Sequence, residues 1–173
     1  MTDPRTVSFD LGVHYGQAYL VDDTDDAMGP EGLPADHPEH PVGIIRVDDG
    51  GAFLITGLHT GVVGFAVTVA GHDPGADTDG YEDIVEISFN SDAGELSLHE
   101  WGDADVHELP TLPAGPGWYR LRYHAQNMDE AAEVDSSDEI IDRYLLQIWP
   151  QDESAPRVIK STSGKLAYWR APR

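Results

Sequence analysis

The 173-residue chain contains no cysteine. Disulfide staples, thiolate metal sites and cysteine nucleophiles are thereby excluded, together with the commonest mark of an oxidising compartment. Long apolar runs are also missing, since none approaches the roughly 20 residues of a membrane-spanning helix. The N-terminus, MTDPRTVSFDLG, lacks a basic segment leading into an apolar core and a small-residue cleavage site, so it does not read as a secretion signal. A cytoplasmic protein without membrane attachment is the expectation. Positive charge is scarce, with 10 Lys and Arg against 32 Asp and Glu and a formal net charge of −22. Such a field repels nucleic acid and anionic lipid, and attracts basic proteins and divalent cations. No nucleic-acid or membrane partner is expected, and a basic protein partner is.

Motifs of catalysis are absent as well. The chain holds no nucleophile elbow, phosphate loop, dinucleotide fingerprint or His-Glu zinc motif. Carboxylates are so numerous that no pair singles itself out as an acid/base couple. A non-enzyme with no catalytic residue is therefore expected. The charge is unevenly spread: residues 154–173 carry Arg157, Lys160, Lys165, Arg170 and Arg173 with no acid, while residues 1–153 carry −27. A basic tail packing on an acidic body is the simplest reading.

What the chain does have is alternation of period two. From Val7 to Val21 the odd positions are mostly apolar and the even ones mostly polar, which reads as one long strand with Gly12 and Gly16 marking a bulge or bend. An acidic, proline-rich loop follows over 22–42. GIIRV and AFLIT around DDGG read as a hairpin, and VGFAVTVAG as the next strand. YEDIVEISF places Tyr81, Val85, Ile87 and Phe89 inward and Glu82 and Glu86 outward, with ELSLHEW as its antiparallel partner. WYRLRYHAQ alternates Tyr119, Leu121 and Tyr123 with a cationic outer face of Arg120, Arg122 and His124. Residues 127–142 form an acidic excursion with one short helical turn, and RYLLQIWP, RVIKSTS and KLAYWR close the strand count. The sum is an all-β single domain over 1–173, an antiparallel β-sandwich or open barrel of about eight or nine strands. The four tryptophans, Trp101, Trp118, Trp149 and Trp169, fall in or beside these strands and serve either packing or an interface.

Metal binding is tested by register in GADTDGYEDIVEISF. With Gly80 at position 6 of a calcium loop, Asp77, Asp79 and Glu86 take positions 3, 5 and 12, but Gly75 falls at position 1 and Glu82 at apolar position 8. An Asp-Gly turn is favoured over a looser calcium site made of Asp73, Asp77, Asp79 and Asp83. No cofactor is expected, and a calcium-binding sandwich module stands as the alternative. An acid-adapted structural or assembly component is a third reading. His37 and His40 in DHPEHP have a short metal-like spacing interrupted by proline.

The pieces VHYGQAYLVDD, YEDIVEISF, LPAGPGWYRLRYH and DRYLLQIWP, through His14, Tyr15, Gln17, Gly117 and Tyr119, resemble the competence protein J family of small acidic proteins. The resemblance implies a non-catalytic inhibitor or immunity-like protein, since that family inhibits a nuclease of DNA uptake by direct binding. The charge leads to a compatible reading, because a nuclease presents a cationic cleft to which displayed carboxylates can be steered. The expected contacts are Glu82, Asp83, Glu86, Asp22, Asp23, Asp25 and Asp26, with the acids between Asp129 and Asp142.

Overall fold

The computed structural model describes residues 4–24, 42–48 and 50–171. Asp25, Asp26, His37, His40 and most of the proline-rich loop lie outside them. The alternation from Val7 to Val21 proves to be two strands, β1 (Arg5–Val13) and β2 (Gln17–Asp22). Between them Tyr15 and Gly16 both have positive φ, 57° and 63°, the conformation of a tight two-residue turn. The turn flips the phase, so that Leu11 and Val13 are buried before it and Ala18 and Leu20 after it. It also moves the chain from one sheet to the other.

Five further strands follow in order: β3 (Ile45–Asp48), β4 (Gly51–Ile55), β5 (Thr60–Val69), β6 (Asp83–Ser91) and β7 (Leu96–Glu100). After β8 (Val106–Glu108) and β9 (Gly117–Gln126) come helix α1 (Met128–Val134), β10 (Ser136–Ser137), β11 (Arg143–Pro150), β12 (Arg157–Lys160) and helix α2 (Gly164–Arg170). The larger sheet has the order β1-β5-β11-β9-β6-β12 with β10 beside β5, and the smaller has β3-β4-β2-β7-β8. Both are mostly antiparallel and neither closes into a barrel; the parallel pairs are β5 with β10 and β5 with β11. The inner faces share one apolar core that includes Leu20, Phe53, Val67, Phe89, Leu121, Tyr144 and Leu146.

Twelve strands among the described residues exceed the expected eight or nine. Besides the split at Tyr15, β8 and β10 have 3 and 2 residues and are too short to show alternation. ELSLHEW does not pair with YEDIVEISF: β7 joins β2 and β8, whereas β6 lies between β9 and β12. The cause is local. The Asp22 carboxylate accepts from the Ser91 hydroxyl at 2.7 Å and the Asp92 N–H at 2.6 Å, which ties the turn after β6 to the smaller sheet.

KLAYWR is helix rather than strand, because Ser163 caps it by accepting the Leu166 N–H at 3.0 Å while Leu166 is fully buried. The basic tail does pack on the acidic body, through β12 against β6 and through Lys160 Nζ donating to the carbonyls of Thr78 and Tyr81. The helical turn expected in 127–142 is α1. Among the described residues no helix is long and apolar enough to cross a membrane.

Gly61 has φ 131°, and a Cβ there would lie 1.9 Å from the Ser137 carbonyl oxygen. Gly61→Ala is expected to part β10 from β5 and cost about 3 kcal/mol, read as a lowered urea midpoint.

Candidate protein-binding surface

Four of the carboxylates expected to face a partner, Asp22, Asp83, Glu86 and Asp142, are turned inward. Glu86 is 3% exposed, and its oxygens accept from Arg120 Nε at 3.1 Å and Arg122 Nε at 2.8 Å. Register produces this arrangement, since Glu86 stands opposite Arg122 across β6 and β9, and Gln147 of β11 stands opposite Arg122 on the other side. Arg122 also forks onto both oxygens of Asp73, at 2.7 and 3.0 Å, and lies over the Trp149 ring at 4.5 Å. Arg120 reaches the carbonyls of Ser154 and Ala155. The expected cationic outer face of β9 is therefore not displayed. Two loops, carrying Asp73 and Ser154, roof it over and its charges are consumed internally.

Asp83 is fully buried and accepts the N–H groups of Thr162 and Ser163, at 2.8 and 3.0 Å, ahead of α2. Asp22 is equally occupied by the turn after β6. Neither these two nor Glu86 is available to a partner, which corrects the outward placement of Glu86. Glu82 is half-buried, and Asp23 is exposed while accepting the Ser97 hydroxyl at 2.6 Å. The possible calcium ligands diverge: Asp73 serves Arg122, Asp77 accepts the Gly80 N–H at 3.0 Å as an Asp-Gly turn, and Asp83 serves the tail. Among the described residues no three His, Asp or Glu side chains gather in a metal-holding group. In the 127–142 segment, Asp142 is fully buried and accepts from the Leu58 N–H at 3.0 Å and the Tyr144 hydroxyl. Asp129 accepts the N–H groups of Gly164 and Lys165, joining α1 to α2. Glu130, Glu133, Asp135, Asp138 and Glu139 are exposed.

A different surface emerges at the β1–β2 turn. Tyr15 is 55% exposed and Trp101, in the short 3-10 turn after β7, is 42% exposed. Their ring centroids are 5.5 Å apart, and His14 and His59 complete the cluster at 4.1 and 5.2 Å from Tyr15. Backbone contacts pin it. Gly16 donates to the His59 carbonyl and Thr56 to the Gly16 carbonyl, both at 2.9 Å, and both imidazoles reach the Thr60 hydroxyl through Nδ1. The 56–60 loop beneath is held in turn by Asp142 and Tyr144, the latter's hydroxyl accepting the Gly57 N–H at 2.6 Å.

Two more exposed apolar residues arrive at the same end. Val134 precedes Asp135, whose carbonyl accepts from His59 and Thr60, and Val106 follows Asp105, whose carbonyl accepts from Glu100. Thus four of the six large exposed hydrophobics among the described residues stand on segments that meet at this end. The sequence singles out His14 and Tyr15 through the resemblance and Trp101 through its strand, but it has no means of joining residues brought together by three loops. The signal available in hindsight is Tyr15 itself, an aromatic next to the glycine of a turn, where it can pack on neither sheet.

No protein-family model matches the chain, and no curated protein matches it either. Two solved structures share its architecture. One is ComJ, inhibitor of the DNA degrading activity of NucA, from Bacillus subtilis, with a TM-score of 0.58 and 13% identity over 87% of this chain and all of ComJ. The other, crocagin biosynthetic gene J, has a TM-score of 0.54 and 13% identity over 87% of this chain and 99% of its own. The resemblance to competence protein J read in the sequence holds as a likeness of fold.

Two outcomes follow from the roofed face. Glu86→Ala leaves both arginines buried without their shared carboxylate and is expected to cost about 3–5 kcal/mol, measured by urea unfolding. His124, fully buried, accepts the Asp77 N–H at Nε2 and faces the Leu145 carbonyl through Nδ1, with Tyr81 against its ring. Burial, reinforced by the Arg122 charge, holds its imidazole down at about 4 against an ordinary 6.5. The unfolded chain takes up a proton there that the folded chain refuses, so this contribution is complete above pH 6.5 and is lost as the pH falls toward 4. Its size is on the order of 3 kcal/mol. Asp142, raised by burial, acts in the opposite sense above the carboxylate range, so the check is comparative. His124→Gln is expected to flatten the fall in urea midpoint between about pH 7 and about pH 4.5, and an unchanged slope refutes the assignment.

Proposed function

We propose that the chain is a non-catalytic binding protein that docks on a basic protein and blocks it, with a nuclease as the partner class. One observation carries the reading. The segments that build the aromatic end, residues 10–24, 56–62, 99–108 and 128–139, contain no lysine or arginine at all, while Asp105, Glu108, Glu133, Asp135, Asp138 and Glu139 on those same segments are exposed. The core does not account for the acidity: among the described residues three buried arginines and five buried carboxylates carry only −2 of the formal −22. A negative surface with an aromatic centre steers a cationic partner and then holds it by desolvated contact. The fold shared with ComJ supports the inhibitor reading. The protein works as a single domain in the cytoplasm, both sheets drawing on one core.

The test uses the purified chain as bait in a lysate of its native host, followed by measurement with the purified captured protein. A basic partner whose affinity falls steeply between low salt and about 0.5 M salt is expected, with loss of its nuclease activity on DNA at stoichiometric addition. An acidic partner, or an affinity indifferent to salt, overturns the proposal.

A further inference from the structure

Tyr15 costs the fold something and contributes nothing to the core. Its φ of 57° lies in the left-handed region, which is strained for a bulky side chain and comfortable for Gly or Asn. Its ring is nonetheless 55% exposed and packs only on the surface rings of His14, His59 and Trp101, so no burial in the core offsets the strain. The tip is also rigidly held, by the backbone bonds of Gly16 to the 56–60 loop and by the shared Thr60 hydroxyl. What the strain secures is the pairing of Tyr15 with Trp101. The two rings stand 5.5 Å apart at 57° to one another, with the His14 ring against both at 4.1 and 4.9 Å, and 55% and 42% of the two residues remain exposed.

We propose that the exposed side of this ring pair is the anchor site for an arginine side chain of the basic partner. The inference rests on the docking function above and assigns it a point of attachment. A cation within about 6 Å of a ring centroid is attracted by the π-face, and a guanidinium laid on the exposed side of the pair, whose centroids are 5.5 Å apart, comes within reach of both rings. Its planar head stacks on an aromatic face while its N–H groups reach the bordering oxygens, a combination the compact lysine ammonium does not offer. Asp105 and Asp135 are exposed, and their backbone carbonyls bond Glu100 and the His59–Thr60 pair, which puts negative charge on the segments beside the rings. Aromatic rings at the centre with polar residues around them also match the anatomy of an interaction hot spot.

The test is a nuclear magnetic resonance titration of the labelled chain with a short glycine–arginine peptide, against the same peptide carrying neutral citrulline. Shifts centred on the Trp101 indole N–H, the Tyr15 ring and His59 are expected for arginine alone. Tyr15→Asn suits the turn and is expected to keep the fold and its melting temperature, so lost binding there is not lost structure. It and Trp101→Ala should each weaken the peptide about tenfold or more. Shifts confined to residues 129–139, equal binding of citrulline, or no binding at all overturns the anchor. In the complex with the purified basic partner, unchanged affinity of Tyr15→Asn and Trp101→Ala removes the anchor but leaves the docking function standing. Failure of the unaltered chain to bind any basic protein removes the docking function itself.

Discussion

The arrangement of Glu86 between Arg120 and Arg122 is the constraint from which much of the rest follows. Three charges at the middle of a sheet would ordinarily lie on a wet face. Here they are 3%, 1% and 5% exposed, and every guanidinium edge is directed to a named acceptor. Desolvation of such groups is costly, and the geometry compensates because the acceptors come from both strands and roofing loops. Asp73, Ser154 and Ala155 are fixed by those bonds, which converts two stretches without regular structure into a lid. The side of the sheet opposite the apolar core thus becomes a second, polar interior.

The same chemistry recurs wherever a loop is tied down. Asp22 takes donors after β6, Asp83 takes two ahead of α2, Asp129 takes the first two of α2, and Asp142 takes the Leu58 N–H. Backbone donors in turns must find partners, and a carboxylate can accept several at once. In an acid-rich chain this use of Asp is invisible in composition, because a structural Asp and a surface Asp look alike. Five carboxylates among the described residues are buried, and four of them had been counted among displayed charge: Asp22, Asp83, Glu86 and Asp142.

That difference marks what was legible in the sequence. Elements with a one-sided pattern over many residues were read correctly: Val63, Phe65, Val67 and Val69 of β5, Val85, Ile87 and Phe89 of β6, and Tyr119, Leu121 and Tyr123 of β9 are all buried. Period two reports which face is apolar, however, not whether the other face is wet. Arg120 and Arg122 satisfied the alternation and were still covered, because covering depends on loops more than twenty residues away in the chain. Pairing failed for β7 for a related reason, since the turn before it is tied to Asp22 of β2, a contact that strand pattern does not report. α2 was missed because its seven residues hold a single buried anchor, Leu166, too few to show a helical period.

The aromatic end joins these themes. A binding surface works best when its groups need no ordering on contact, since each immobilised side chain otherwise subtracts from affinity. The buried Asp142–Tyr144 pair holds the 56–60 loop, the loop holds Gly16, and Gly16 fixes the turn on which Tyr15 stands. Strain at Tyr15 is thereby supported by bonds that run back to the interior. Of the carboxylates first expected as contacts, Asp142 thus acts one layer further in, accepting the Leu58 N–H and the Tyr144 hydroxyl that hold the loop beneath the rings.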